Sequence, residues 1–172
     1  MKEYAVINKM LLCENKILKI ANALVREFST REEIDQQRII YSMESYIKAK
    51  GLKMKGPIIS YSSSLVCFEN GRPIINKQLI MQLSEPLIHC DSPYFFKSII
   101  RTDPCLFVRF NGNPQKLNFA FAKIGVFAFE NDIDLVGSSY TIVAAEDEEN
   151  AVIDVFMPKK VEGDIYEAVF PK

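Results

Sequence analysis

The chain has 172 residues, 48% of them hydrophobic and 25% charged, with 12 Phe, 7 Tyr, no Trp and a formal net charge of -1 at pH 7. A chain of this length buries roughly 70% of its unfolded surface and folds as one domain without staples, which argues against disorder. The near-zero charge offers no basic excess for phosphates, and no apolar run reaches the ~18 residues of a membrane span, so neither nucleic acid nor membrane is expected as a partner.

In chain order, the opening "MKEYAVINKMLLCENK" sets Glu3 and Glu14 around an apolar core too short for a signal peptide, and a cytoplasmic protein is expected. An extended region follows, "KILKIANALV" (16–25). Thr30 and Glu33 then have the S/T-x-x-E spacing of a capping box, and Gly51 supplies a left-handed stop. The helix between them carries Ile40, Met43 and Ile47 on one face. Residues 56–68 and 75–87 are rich in β-branched and aromatic side chains and flank the turn signal Glu69-Asn70-Gly71-Arg72-Pro73. The first half thus predicts β-α-β-β.

The same order recurs. "FFKSIIRTDPCLFVRFNG" is extended, with Asp103-Pro104 expected to break it, and Asn113-Pro114 supplies an N-cap followed by a preorganised first turn. The next segment, "LNFAFAKIGVFAF", alternates well enough to pass for a strand, and Gly125 weakens a helix there. Its length and its match to the first half favour a helix, with Leu117, Ala120, Phe121, Ile124 and Ala128 facing inward and Phe119 and Val126 on the solvent side. Either the C-terminal tail or a homodimer or other protein partner is expected to cover those two. Strands over 137–145 and 151–160 flank the acidic turn "EDEEN". Gly56 and Gly137 hold equivalent places 81 residues apart.

The expectation is therefore an α+β single domain over 1–172, with two pseudo-symmetric β-α-β-β units (about 8–88 and 93–160) forming one curved antiparallel sheet. Both helices lie on one face of that sheet, and the tail 161–172, apolar at Ile165, Tyr166, Val169 and Phe170, docks.

Chemistry-bearing motifs are sparse. His89 is the sole histidine and has no nucleophile motif beside it, and Cys13, Cys67, Cys90 and Cys105 are scattered without a C-x-x-C pair. No catalytic residue, metal or cofactor is assigned, and no phosphate-binding glycine loop is present. What remains is aromatic residues on strands. Tyr140 shares a face with Ile142; Asp154 lies between Val152 and Phe156; Arg109 lies on the side of Phe107 and Cys105. A buried Asp154 needs a donor or cation. The competing reading is that these aromatics are core and Asp154 an edge-strand charge.

The two units, and the wording of the second above all, resemble the GyrI-like small-molecule-binding domain, which is also the effector-binding half of multidrug-responsive regulators. "DPCLFVRFNGNPQKL" and "LVGSSYTIVAAEDEENAVIDVFMPK" place Pro104, Gly112, Gly137, Tyr140 and Pro158 as that family does, and the resemblance spans roughly residues 16 to 160. It implies an SHS2-like pair of units with a ligand groove between them, in a bacterial, stand-alone, non-enzymatic binder of a small apolar or aromatic molecule. Tyr61, Phe107, Arg109, Tyr140, Asp154 and Phe156 become the groove candidates. Where the family often places a glutamate, this chain has Thr141, with Asp154 the nearest acid, and the Trp of ring-hydrolysing relatives is absent. The chain is also similar to stand-alone proteins encoded near type VII secretion toxins. That similarity implies an accessory module binding a protein through Phe119 and Val126.

Overall fold

In a computed structural model of the protein, residues 10–32, 34–147 and 149–161 are described. They form β1 (Leu11–Ser29), α1 (Gln36–Ala49), β2 (Ile59–Glu69), β3 (Arg72–Gln82), β4 (Tyr94–Gly112), a 3-10 turn (Pro114–Lys116), α2 (Asn118–Glu130), β5 (Ser139–Glu146) and β6 (Ala151–Pro158). The class is α+β, and every strand pairing is antiparallel. The element order matches the one read from the sequence, including the helical choice for 115–130.

The expected single curved antiparallel sheet goes further than a curved layer. It closes into a barrel in the order β1-β3-β2-β5-β6-β4, with β4 returning to β1. Closure depends on the two 19-residue strands, which pair with each other from Leu11↔Arg109 to Arg26↔Tyr94. Each then reaches its own hairpin, β1 through Ala23–Ser29 to β3 and β4 through Cys105–Gly112 to β6. Strands this long must bend to wrap a cylinder. Asn15 and Asn22 turn to φ 57° and 51° within β1, a conformation asparagine accepts more readily than other side chains. The Asn22 carbonyl accepts from Leu83 N–H at 2.8 Å, so this bend is tied to the end of β3.

Strand alternation sends side chains both ways. Leu18, Ile20, Ala23, Val25, Ile59 and Ile80 fill the barrel interior. Outward-facing Leu24, Leu79 and Met81 pack on Ile39, Met43 and Ile47 of α1, and Leu106, Val108, Ile153 and Val155 pack on Ala120, Ile124 and Ala128 of α2. Both helices therefore lie outside the barrel, α1 over the β1–β3 pair and α2 over the β4–β6 pair.

Two local readings are corrected. The cap of α1 is Asp35, whose carboxylate accepts from Gln37 N–H at 3.0 Å; Thr30 instead joins β1 to β3, its hydroxyl accepting from Ile75 N–H at 3.0 Å. Glu33, its expected partner, is outside the described residues. Asp103-Pro104 does not break β4, because its cis peptide is accommodated within the strand and both flanks pair, with β1 on one side and with β1 and β6 on the other. Other signals held: Gly51 ends α1 at φ 72°, and the Asn113 side chain accepts from Gln115 N–H at 2.9 Å with Pro114 opening the turn. The docking expected of 161–172 falls, beyond Val161, outside the described residues.

Gly137 sits where β5 enters the sheet. Its φ is 92°, and a Cβ built there would lie 3.0 Å from the Ser64 Cβ of β2. Backbone strain and this contact act together, so Gly137→Ala is expected to cost about 1–3 kcal/mol. Chemical denaturation of the variant against wild type measures it.

Candidate functional site

The groove candidates converge because of register. Directly opposed residues of antiparallel strands share a face, and the pairings Tyr61↔Tyr140, Tyr140↔Phe156 and Phe156↔Phe107 carry four aromatic side chains across β2, β5, β6 and β4 in one row. The Tyr61 and Tyr140 rings are 4.9 Å apart and tilted by 50°; those of Phe107 and Phe156 are 4.8 Å apart and tilted by 53°. Such tilted pairs add roughly 0.5–1.5 kcal/mol each beyond area burial. The row ends on Lys16, whose ammonium lies 5.8 Å from the Phe107 ring centre. At its other end it continues through Gln78, opposite Tyr61, to Glu27, opposite Gln78, and the Glu27 carboxylate accepts from the Gln78 amide at 2.8 Å.

One step along the strands lies the polar rung of the same face. Arg109 opposes Asp154 and donates to it through Nε at 2.7 Å and Nη2 at 2.8 Å. Asp154 is 9% exposed, so the donor its burial demanded comes from the chain itself.

Burial pushes the Tyr140 phenol up to about 12, with smaller contributions from Tyr61 and Cys105. Near neutrality it is an uncharged hydrogen-bond donor at the centre of the aromatic row.

The seam between the hairpins is not an open groove, since Val25, Ile59, Ile80 and their neighbours occupy it. Space opens at one end of the barrel, where a cavity of about 300 Å³ is walled by Glu27, Tyr61 and Gln78. Tyr61 is the sequence-predicted residue on its wall. Glu27 and Gln78 escaped the sequence reading, although Glu27 follows Ala23 and Val25 at strand spacing and this alternation could have placed it on the inner face. A second cavity, about 860 Å³, runs along the outside of α2 and includes Phe119 and Val126, which are 55% and 57% exposed.

His89 is exposed in the loop after β3, away from the aromatic row. Its neighbour Asp91 pins that loop to α1, accepting from Lys50 at 2.7 Å and from the Tyr46 hydroxyl at 2.9 Å; both bonds hold its carboxyl below the usual range. Among the described residues, no three His, Cys, Asp or Glu side chains gather as metal ligands would, and no helix is long and apolar enough to cross a membrane.

No family model matches the chain, and no curated protein sequence matches it. Solved structures do share its fold. EcmrR in a cryo-EM structure of an EcmrR–DNA complex aligns with a TM-score of 0.65 at 12% identity, over 88% of this chain and 57% of EcmrR, so this chain spans less than two thirds of that protein. An uncharacterized conserved protein from Listeria innocua aligns with a TM-score of 0.55 at 9% identity, over 86% of this chain and 92% of its own. Another Listeria innocua protein, described as a hydrolase, gives 0.54 at 12% identity over 91% and 94%. At these identities the likeness is one of fold.

Proposed function

We propose that the protein is a non-enzymatic small-molecule-binding domain of the GyrI-like, effector-binding kind. Its ligand is a small, flat apolar or aromatic molecule. The observation that carries this reading is the unbroken cross-strand row Tyr61, Tyr140, Phe156 and Phe107, with an acceptor-bearing mouth at its Tyr61 end. Ligand sites combine apolar and aromatic walls with a few placed polar groups, and about 300 Å³ is the lower end of their usual size. Asp154 is already paired with Arg109, so Glu27 is the carboxylate at the mouth for a cationic or donating group, while the Arg109–Asp154 rung lies beside the row, one step along the strands.

The pseudo-symmetry of the two units belongs to the same proposal. Hydrogen bonds closing the two helices support it. Gly51 N–H to Lys48 O and Leu52 N–H to Ile47 O reappear 81 residues on, as Asp132 N–H to Phe129 O and Ile133 N–H to Ala128 O. The isolated bridges at Met54 and Leu135, and the left-handed Gly56 and Gly137, keep that spacing. A non-catalytic role is supported by a row that holds a neutral phenol and apolar rings, with the histidine elsewhere.

The test is thermal unfolding with ethidium, a flat aromatic cation, and with phenanthridine, its uncharged ring frame. Wild type is expected to melt higher with ethidium, and Tyr61→Ala and Tyr140→Ala to lose the rise while keeping the native far-UV spectrum. Glu27→Gln should weaken the response to ethidium more than that to phenanthridine. Shifts of wild-type size in both tyrosine variants would refute the site.

A further inference from the structure

The β2–β3 hairpin outruns the barrel. β5 pairs with β2 only from Ile59 to Ser62, and past a bulge over 63–65 the strands β2 and β3 continue together from Val66↔Ile75 to Glu69↔Arg72. Along this arm the outer edge of β2 has no strand beside it among the described residues. Leu65, Val66 and Phe68 are 52%, 45% and 73% exposed there, and Cys67 is exposed as well.

The turn determines which backbone groups face that edge. Asn70 and Gly71 both have positive φ, 50° and 75°, as a two-residue type I′ turn requires, so Glu69 and Arg72 close the hairpin by exchanging their backbone bonds. Alternation then makes Phe68↔Pro73 and Val66↔Ile75 the pairs without bonds between them. Two observations agree. Pro73 has no N–H to give, and Ile75 spends both its groups on Thr30, its N–H donating to the Thr30 hydroxyl and its carbonyl accepting from Thr30 N–H, each at 3.0 Å. Val66 and Phe68 therefore turn their N–H and C=O groups outward, on either side of Cys67. Open edges are commonly blunted by charge or proline, and the β3 side of the arm has Arg72 and Pro73. The β2 side carries no charge from Ser63 to Phe68.

We propose that two copies of this chain pair antiparallel through these edges, about a two-fold axis at Cys67. Val66 of each copy exchanges both backbone bonds with Phe68 of the other, which satisfies every outward group, and sets a β-branched side chain against an aromatic one twice on the same face. Such a pairing is isologous and stops at two chains. The side chains select this register and this occupant. An axis at Val66 would set Phe68 against Ser64, and one at Phe68 would set Val66 against the turn residue Asn70. With the axis at Cys67 the two Glu69 side chains stay apart, each held by Arg31 of its own chain at 2.8 Å, and a net charge of -1 per chain adds little repulsion. The contact is small, so the dimer is a weak one, formed in the micromolar range.

The test is sedimentation equilibrium of the full chain from micromolar to near-millimolar concentration, together with diamide, which oxidises two thiols to a disulfide as its own N=N bond is reduced to the hydrazine. Wild type should show a monomer–dimer equilibrium. Diamide should give a two-chain band on a non-reducing gel, with Cys67 joined to Cys67 by peptide mass, because an opposed pair of this kind brings the two Cα atoms to about 4.5 Å. Cys13 and Cys90 are only half-exposed and Cys105 is buried. Phe68→Lys should weaken the dimer by about tenfold or more and abolish the band with an unchanged far-UV spectrum. Cys67→Ser should keep the dimer and lose only the band, and Phe129→Glu, at an 86% exposed residue of α2, should change neither. A wild type that stays a single chain throughout would overturn the proposal. So would a dimer that Phe68→Lys leaves intact, or a linkage through any cysteine but Cys67.

Discussion

Between pH 10 and pH 12 the wild-type protein is expected to lose about 2–3 kcal/mol of stability through one residue, Tyr140, and Tyr140→Phe to be spared that loss. An unfolded tyrosine releases its proton near 10, while burial among Tyr61, Ile142 and Phe156 holds the folded phenol to about 12. Across that window the folded state binds more protons than the unfolded one, so stability falls as pH rises; below 10 both states are protonated and the contribution is whole. Urea unfolding of wild type and Tyr140→Phe at intervals from pH 8 to 11.5 checks it. Tyr46 is raised in the same direction by burial, but it is present in both proteins and drops out of the comparison. Parallel curves for the two would mean that Tyr140 is solvated, and the aromatic row would lose its dry centre.

The second large effect concerns α2. Ile124 is fully buried at the middle of the contact between α2 and the paired strands β4 and β6, and Ile124→Ala should lower stability by about 2–5 kcal/mol through lost transfer energy and the void left behind. For a chain of this size that is a drop of roughly 5–15 °C in Tm. The contrast within one helix is informative. Ile124 acts through the core, whereas Phe129 lies outside both apolar faces and its substitution should stay within about 0.5 kcal/mol.

Both effects depend on separating the barrel's faces, and the sequence supports that separation unevenly. Parity along single strands put Asp154 with Phe156, and Arg109 with Phe107, correctly. It could not say that Arg109 stands opposite Asp154, or that Tyr61 and Phe107 end one continuous row, because cross-strand register involves residues far apart in the chain. Glu27 is illegible for a related reason: the apolar pattern of β1 ends at Val25, and only the Glu27↔Gln78 pairing marks it as part of the mouth. The Thr30 cap shows the same competition locally. Thr30 and Asp35 both suit a helix N-terminus, and the claim of Ile75 on the Thr30 hydroxyl leaves the cap to Asp35.

Left to itself, the sequence determined what short-range chemistry controls: element order, the helix stop at Gly51, the Asn113-Pro114 start, and the glycines before β2 and β5. Each depends on backbone preferences and hydrogen bonds within a few residues. Tertiary structure alone decided that the sheet closes, that its seam is packed while its rim stays open, that Arg109 pairs with Asp154, and that the Phe119–Val126 side of α2 lines a cavity. Those outcomes follow from which long strands meet and in what register, a choice made by side-chain packing summed over the whole barrel.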